Sequence, residues 1–167
     1  AVNRRSDGQL KDTFLNIEKR GEFTVNMADT PLAEAMVATS AKFPPGESEV
    51  EALGLRTEPG ERIKTPRLAD APIAMECRLF EIYPVGEDRK LVMGEVLLLH
   101  ARDGLFNEDT KYMTVPHYDP VARLFGPGYA KLSEPYALPI PDWESLGKGA
   151  SVSEAKPQPT AIVTDKA

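Results

Sequence analysis

A chain of 167 residues, 41% hydrophobic and 28% charged, has the length and make-up of one soluble globular domain able to bury a real core. Its formal charge of −6 argues against non-specific nucleic-acid binding, which needs a basic face, but leaves room for a small, locally basic pocket. No segment approaches the length of a membrane span, and the polar, basic start has no apolar signal core after it, so the expected setting is the cytoplasm. The first residue is Ala1 rather than Met, as expected of a processed or truncated product.

In chain order, "LKDTFLNIEKRGEF" reads as a helix. Leu10, Phe14 and Ile17 recur at helical spacing, Asp12 or Thr13 suits the first turn, and Gly21 after Lys19 and Arg20 is a stop. "EFTVNMA" reads as a short strand. "TPLAEAMVATSAKF" predicts a second helix with Thr30 as N-cap, Pro31 at its first position and Glu34 near the capping-box place, ended by Pro44-Pro45-Gly46. "SEVEALGL" predicts one short helix stopped by Gly54. Residues 56–72 hold Pro59, Pro66 and Pro72, and read as an extended excursion over the surface.

The clearest strands follow. "PIAMECRLFEIYPV" alternates, and "KLVMGEVLLLHARD" comes after a credible hairpin turn at Gly86 to Arg89. A long hairpin with mixed faces suits a barrel or a strongly bent sheet. Gly94, inside the second strand, predicts a bulge or a close backbone approach. From Gly104 the chain turns irregular, and the Gly-, Pro- and Tyr-rich stretch from His117 to Trp143 reads as an ordered arm over a surface. The expected division is a domain over 1–141 and a tail over 142–167, low in large apolar residues.

Candidate chemistry is sparse. Cys77 is the sole cysteine, so no disulfide forms within the chain; on an apolar strand with no base beside it, it reads as core rather than nucleophile. His100 and His117 are the only histidines, and neither has a close partner at ligand spacing, so no metal site is expected. His100, at a strand end, reads as structural. The chain has no Gly-x-Ser-x-Gly elbow, no Walker loop and no Rossmann glycine fingerprint. The opening "NRRSDGQLKDTF" remains. Arg4, Arg5, Ser6, Lys11 and Thr13 gather cations and hydroxyls where a helix begins, which is where free backbone N–H groups and the positive dipole end favour an anion. The same residues can equally be a solvated charged face.

Five stretches bear on that choice: "NRRSDGQLKDTFLNIEKRGEFTVNMA", "AEAMVATSAKFPPGESEVEALGL", "PRLADAPIAMECRL", "LVMGEVLLLHARD" and "PVARLFGPGYAKL". In this order, over most of residues 3–139, the chain resembles the flavin reductase-like family of FMN-binding split barrels. The distinctive pieces are Lys11-Asp12-Thr13 followed by Asn16, the Glu76-Cys77 strand, and Arg123-Leu124 with Gly126 and Tyr129. The resemblance implies a mainly β fold with helices (α+β), an FMN-binding split β-barrel and a homodimer with FMN held noncovalently near the subunit interface. It puts Lys11, Asp12 and Thr13 by the flavin phosphate, and Asn3, Arg4, Arg5 and Ser6 by the phosphate and ribityl chain. Asp12 would cap the helix or hold a basic neighbour, because a carboxylate should not face a phosphate. Arg123 and Tyr129 would lie near the flavin or the dimer contact. Family members carry several strands before the opening loop, including an Asn/Ser-rich part that touches the isoalloxazine ring; the resemblance implies that these N-terminal strands are missing from this chain.

The activity it implies is NAD(P)H-dependent flavin reduction, with hydride passing to FMN and no side chain demanded as acid or base. A non-catalytic FMN-binding or electron-transfer module, or an interaction domain with a basic loop, are the alternatives. Flavin and nicotinamide nucleotide are the expected partners, with neither nucleic acid nor membrane.

Overall fold

The computed structural model describes residues 2–3, 8–44, 46–113 and 118–132, all within one compact unit, Ala1–Pro135. The expectations for Arg4, Arg5, Ser6, His117, the arm beyond 132 and the tail fall outside the described residues.

Strand β1 (Val2–Asn3) is followed by helix α1 (Asp12–Arg20). The helix buries Phe14 and Ile17, one turn apart, and stops where Gly21 takes a left-handed conformation (φ 69°) and donates its N–H to the Ile17 carbonyl, as the spacing predicts. Strand β2 (Glu22–Met27) follows at once. The next segment departs from expectation. Residues Thr30–Leu32 form a 3₁₀ turn, and helix α2 is only Ala33–Ala38. Thr30 does not cap it; its hydroxyl donates to Asp119 Oδ2 at 2.6 Å, a partner 89 residues away. Nor does the helix run to Pro44: the Thr39 and Ser40 hydroxyls donate back to the Met36 and Val37 carbonyls and draw the backbone into a turn. Helix α3 (Glu49–Ala52) has the Ser48 hydroxyl accepting from the Glu51 N–H, and Gly54 follows at φ 63°.

The proline-rich excursion is more ordered than its sequence suggests. It carries a two-residue ladder between β3 (Thr57–Glu58) and β4 (Arg67–Leu68), reinforced by an Arg67–Glu58 ion pair. Strands β5 (Ile73–Val85) and β6 (Arg89–Ala101) then form the long hairpin, and β7 (Val121–Arg123) pairs with β8 (Tyr129–Lys131) in a second, smaller one.

The main sheet has the order β1-β6-β5-β2 and is antiparallel throughout. Among the described residues it is an open sheet, with few helices around mostly strand structure. The β5–β6 register shifts twice, between Glu76 and Cys77 and again between Leu79 and Glu81. Gly94 sits opposite Leu79 inside the shifted part, where a Cβ would overlap the Phe23 ring and come within 3.2 Å of the Cys77 Cβ. The close approach expected of this glycine is therefore present. Ile73, Leu105 and Tyr118 form a core cluster, with Met75 packed against it.

One face of the sheet is polar by design of the register. Glu22, Thr24 and Asn26 on β2 stand beside Arg78, Glu76 and Ala74 on β5. Residues 60–68 lie across them as a strap. The fully buried Glu76 carboxylate accepts the N–H groups of Glu61 (2.9 Å), Arg62 (2.7 Å) and Ile63 (3.1 Å). His100 Nε2 lies 2.6 Å from its Oε1, which makes His100 structural, as expected. Glu22 Oε1 accepts from the Lys64 and Thr65 N–H groups and the Thr65 hydroxyl, while Thr24 donates its hydroxyl to the Thr65 carbonyl. Asn26 Oδ1 accepts the Leu68 N–H. Three β2 side chains and one from β5 thus satisfy a strap that has almost no ladder of its own.

Burial alone would raise the Glu76 carboxyl. The three N–H groups and His100 outweigh it and hold the group at about 2, down from 4.5. A carboxyl depressed on folding stabilises the fold above its unfolded value and loses that contribution as pH falls through the folded one. Urea midpoints measured across pH should therefore hold steady above about pH 5 and decline between 4.5 and about 2. Glu76→Gln should cost about 1–3 kcal/mol at neutral pH and flatten that decline. Gly60 supplies the strap's tight curl: a Cβ there would stand 2.5 Å from the Ile63 carbonyl oxygen and 3.0 Å from that of Thr65. Because both obstacles are backbone, Gly60→Ala should lower stability by about 1–3 kcal/mol, read as a reduced Tm in calorimetry, with the helix content by circular dichroism unchanged.

Candidate functional site

The candidate anion corner begins where α1 begins. Lys11 takes the N-cap position in an extended conformation (φ −71°, ψ 145°) and makes no side-chain capping bond. Lysine has no acceptor oxygen to give, so the first turn lacks the cap that Ser, Thr, Asp or Asn would provide. The Lys11 carbonyl accepts from Phe14 and Leu15, which opens the helical ladder and leaves the earlier N–H groups outside it. Asp12 occupies the first turn, half-buried, while Lys11 and Thr13 are exposed. Among the described residues, neither the Lys11 ammonium nor the Thr13 hydroxyl has an ion-pair or hydrogen-bond partner. The corner therefore presents one cation, one hydroxyl and the positive end of a nine-residue helix, a donor set suited to a dianion.

Of the other expected site residues, Asn3 lies in β1 opposite Arg89. Arg4, Arg5 and Ser6 lie between β1 and the helix, outside the described residues. Arg123 is on a different element, β7, and its guanidinium stacks 4.7 Å above the centroid of the Tyr129 ring on β8. Lys11, Asp12 and Thr13 are thus together by sequence alone, and Arg123 is joined to Tyr129 by the ladder.

The hairpin that carries Arg123 is anchored by a polar corner that sequence reading missed. Asp29, nearly fully buried, forms an isolated bridge with Pro120 and receives Arg102 Nη2 on its Oδ2 at 3.0 Å. The Thr30 N–H donates to the Asp119 carbonyl, and Lys131 Nζ stands 3.9 Å from Asp119 Oδ2. Burial, and then the Asp29 charge, push the neighbouring Tyr118 hydroxyl up. The bonds that Asp29 and Thr30 make here reach residues 73 and 89 positions away, and no local pattern could have announced them. From its tip the hairpin projects Leu124 and Phe125, the latter 84% exposed, beyond a turn closed by the Gly128 N–H on the Phe125 carbonyl.

Cys77 is buried, and burial pushes its thiol up, so it stays a protonated core residue rather than a nucleophile. A separate cleft of about 150 Å³ opens between β2 and α2, walled by Asn26, Leu32, Ala35, Met36, Leu55 and Leu68. Among the described residues no helix is long and apolar enough to cross a membrane.

Solved structures share this fold. Component B of nitrilotriacetate monooxygenase from Bacillus cereus superposes with a TM-score of 0.76 at 34% identity, over 82% of this chain and 69% of that one. The 2-nitrobenzoate 2-nitroreductase NbaA of Pseudomonas fluorescens gives a TM-score of 0.72 at 31% identity, covering 85% and 83%. A Shewanella frigidimarina protein with a split barrel domain gives 0.70 at 25% identity, covering 77% and 65%. The fold is thus the mixed α+β architecture of the split barrels, of which the described strands form an open part. The chain spans 66% and 55% of the length of two curated relatives to which it is 36% and 38% identical. The model of the flavin reductase like domain matches residues 6–119, from the loop before α1 to the corner at Asp119, and the chain belongs to that family.

Proposed function

We propose that this chain is an FMN-binding flavoprotein that works as a NAD(P)H-dependent flavin reductase. The observation that carries the reading is the start of α1, a helix entrance without a side-chain cap whose Lys11 ammonium and Thr13 hydroxyl have no partner among the described residues, inside the segment that the family model matches. An FMN phosphate is a dianion with several acceptor oxygens, and these donors fit it. Lys11 would supply the charge, Thr13 the hydroxyl, and the first-turn N–H groups the directional bonds. Asp12, on the same turn, would order the helix start rather than touch phosphate, and Asn3 with Arg4, Arg5 and Ser6 would complete the loop side. Arg123, stacked on Tyr129, would border the flavin or the subunit contact.

Flavin, when bound, supplies the redox chemistry by taking hydride from the nicotinamide and passing electrons onward. The chain's own task is to hold the phosphate end so that the ring is placed, and no described side chain is needed to move a proton. The reading takes residues 1–141 as the flavin-binding domain, with 142–167 as a tail. A homodimer is part of it. The sheet leaves Val25, Met27, Val96 and Leu99 at least a third exposed, and Phe80, Tyr83, Val85, Leu91 and Met93 line the outer hairpin with similar exposure. So much exposed apolar surface on adjacent strands favours burial against a second subunit.

Flavin fluorescence titration tests the phosphate corner. Lys11→Ala and Thr13→Ala should each weaken FMN by about tenfold while leaving riboflavin, which lacks the phosphate, within about twofold. Equal losses for both flavins would mean a general folding defect and would remove the corner from the site. Oxidation of NADH or NADPH followed at 340 nm with added FMN separates reductase from storage module: turnover supports the reductase, and tight FMN binding without turnover rejects it.

A further inference from the structure

We propose that the cleft between β2 and α2 binds a small neutral molecule built on one aromatic ring that carries a hydrogen-bond acceptor. The proposal stands apart from the flavin reading, and its test starts from flavin-free protein.

Three features of the cleft set the ligand. The first is size. Its volume is about 150 Å³, and its wall is mostly aliphatic, with Leu32, Ala35, Leu55 and Leu68. An apolar space of that volume takes a benzene-sized molecule and has little to offer water. Met36 and Met27 also line it, and their flexible thioethers adapt to a ring and make favourable sulfur–aromatic contacts.

The second feature is charge. None of the nine described residues lining the cleft carries an ionisable side chain. A carboxylate placed there would lose hydration without a counter-charge, so the neutral ring is favoured over its acid.

The third is direction. Asn26 Oδ1 accepts the Leu68 N–H at 3.0 Å. Only the amide oxygen can accept, so the opposite end of the side chain is the NH2 group, and among the described residues that group has no partner. The other polar side chain of the lining, Thr39, already donates its hydroxyl to the Met36 carbonyl at 2.8 Å. Among the described residues of the lining, the Asn26 NH2 is thus the one side-chain donor left for a carbonyl or nitro oxygen on the ring.

The test is a titration of flavin-free protein with acetophenone, followed by two-dimensional amide NMR. Saturable shifts centred on Asn26, Ala35, Thr39, Leu55 and Leu68 are expected, with benzoate at least tenfold weaker. Ala35→Leu fills the cleft and should abolish binding. Asn26→Asp keeps the oxygen that holds Leu68 but replaces the donor with a charge, and should weaken acetophenone at least tenfold. The benzoate and Asn26→Asp arms decide the matter should the filled variant not fold. No saturation up to the solubility limit, shifts centred elsewhere, or benzoate binding as tightly as acetophenone would overturn the proposal. Displacement of acetophenone by FMN would overturn it too, by assigning the cleft to the flavin. FMN titrated separately on the same preparation keeps the two readings distinguishable: loss of one leaves the other standing.

Discussion

The buried carboxylate of Glu76 is the interaction on which the described fold leans most. It sits in the middle of the sheet on β5, has no exposure to solvent, and gathers three successive N–H groups from a strap that would otherwise have nowhere to place them. An uncompensated carboxylate there would be costly, and so would three orphaned amides. Each removes the other's penalty, and His100 from the next strand completes the shell. Glu22 repeats the device at the next two residues of the strap, Lys64 and Thr65. The excursion between α3 and β5 is therefore part of the sheet's polar face rather than a loose connector.

That arrangement has consequences for both candidate sites. Asn26, which closes the row of strap-holding side chains on β2, also lines the β2–α2 cleft, so one side chain serves both the strap and the cleft wall. The strand that follows α1 is the same β2. Its pairing with β5 over six residues fixes where the helix that precedes it must end, at Gly21. The helix that starts at Lys11 thus runs into a strand that also walls the cleft and is held on one side by a ladder and on one face by the strap.

Much of this was legible in the sequence where the signals are local. The α1 stop at Gly21, the β5–β6 hairpin with its turn, and the crowding at Gly94 all follow from spacing and from the special geometry of glycine. The position of Lys11, Asp12 and Thr13 at a helix entrance is likewise a local feature. What escaped reading is long-range. Thr30 looks like an N-cap until Asp119 is brought beside it, and Glu76 looks like one more polar strand residue until residues 61–63 fold over it. The early end of α2 escaped for a subtler reason: Thr39 and Ser40 compete for backbone carbonyls, and propensity alone does not show which side wins. The cleft was equally invisible, since its walls come from four separate segments.

The two register shifts of the long hairpin carry a constraint on how this sequence can vary. The first leaves Leu97 of β6 unopposed and the second leaves Phe80 of β5 unopposed, so the strands come back into their original alignment before the turn. They behave like a pair of compensating frameshifts. Losing either residue alone would rotate the intervening stretch or the whole outer hairpin, so that its side chains exchange the two faces of the pleat. Length changes in this region should therefore be inherited in matched pairs, one on each strand, while the turn at Gly86 remains free to lengthen or shorten by itself.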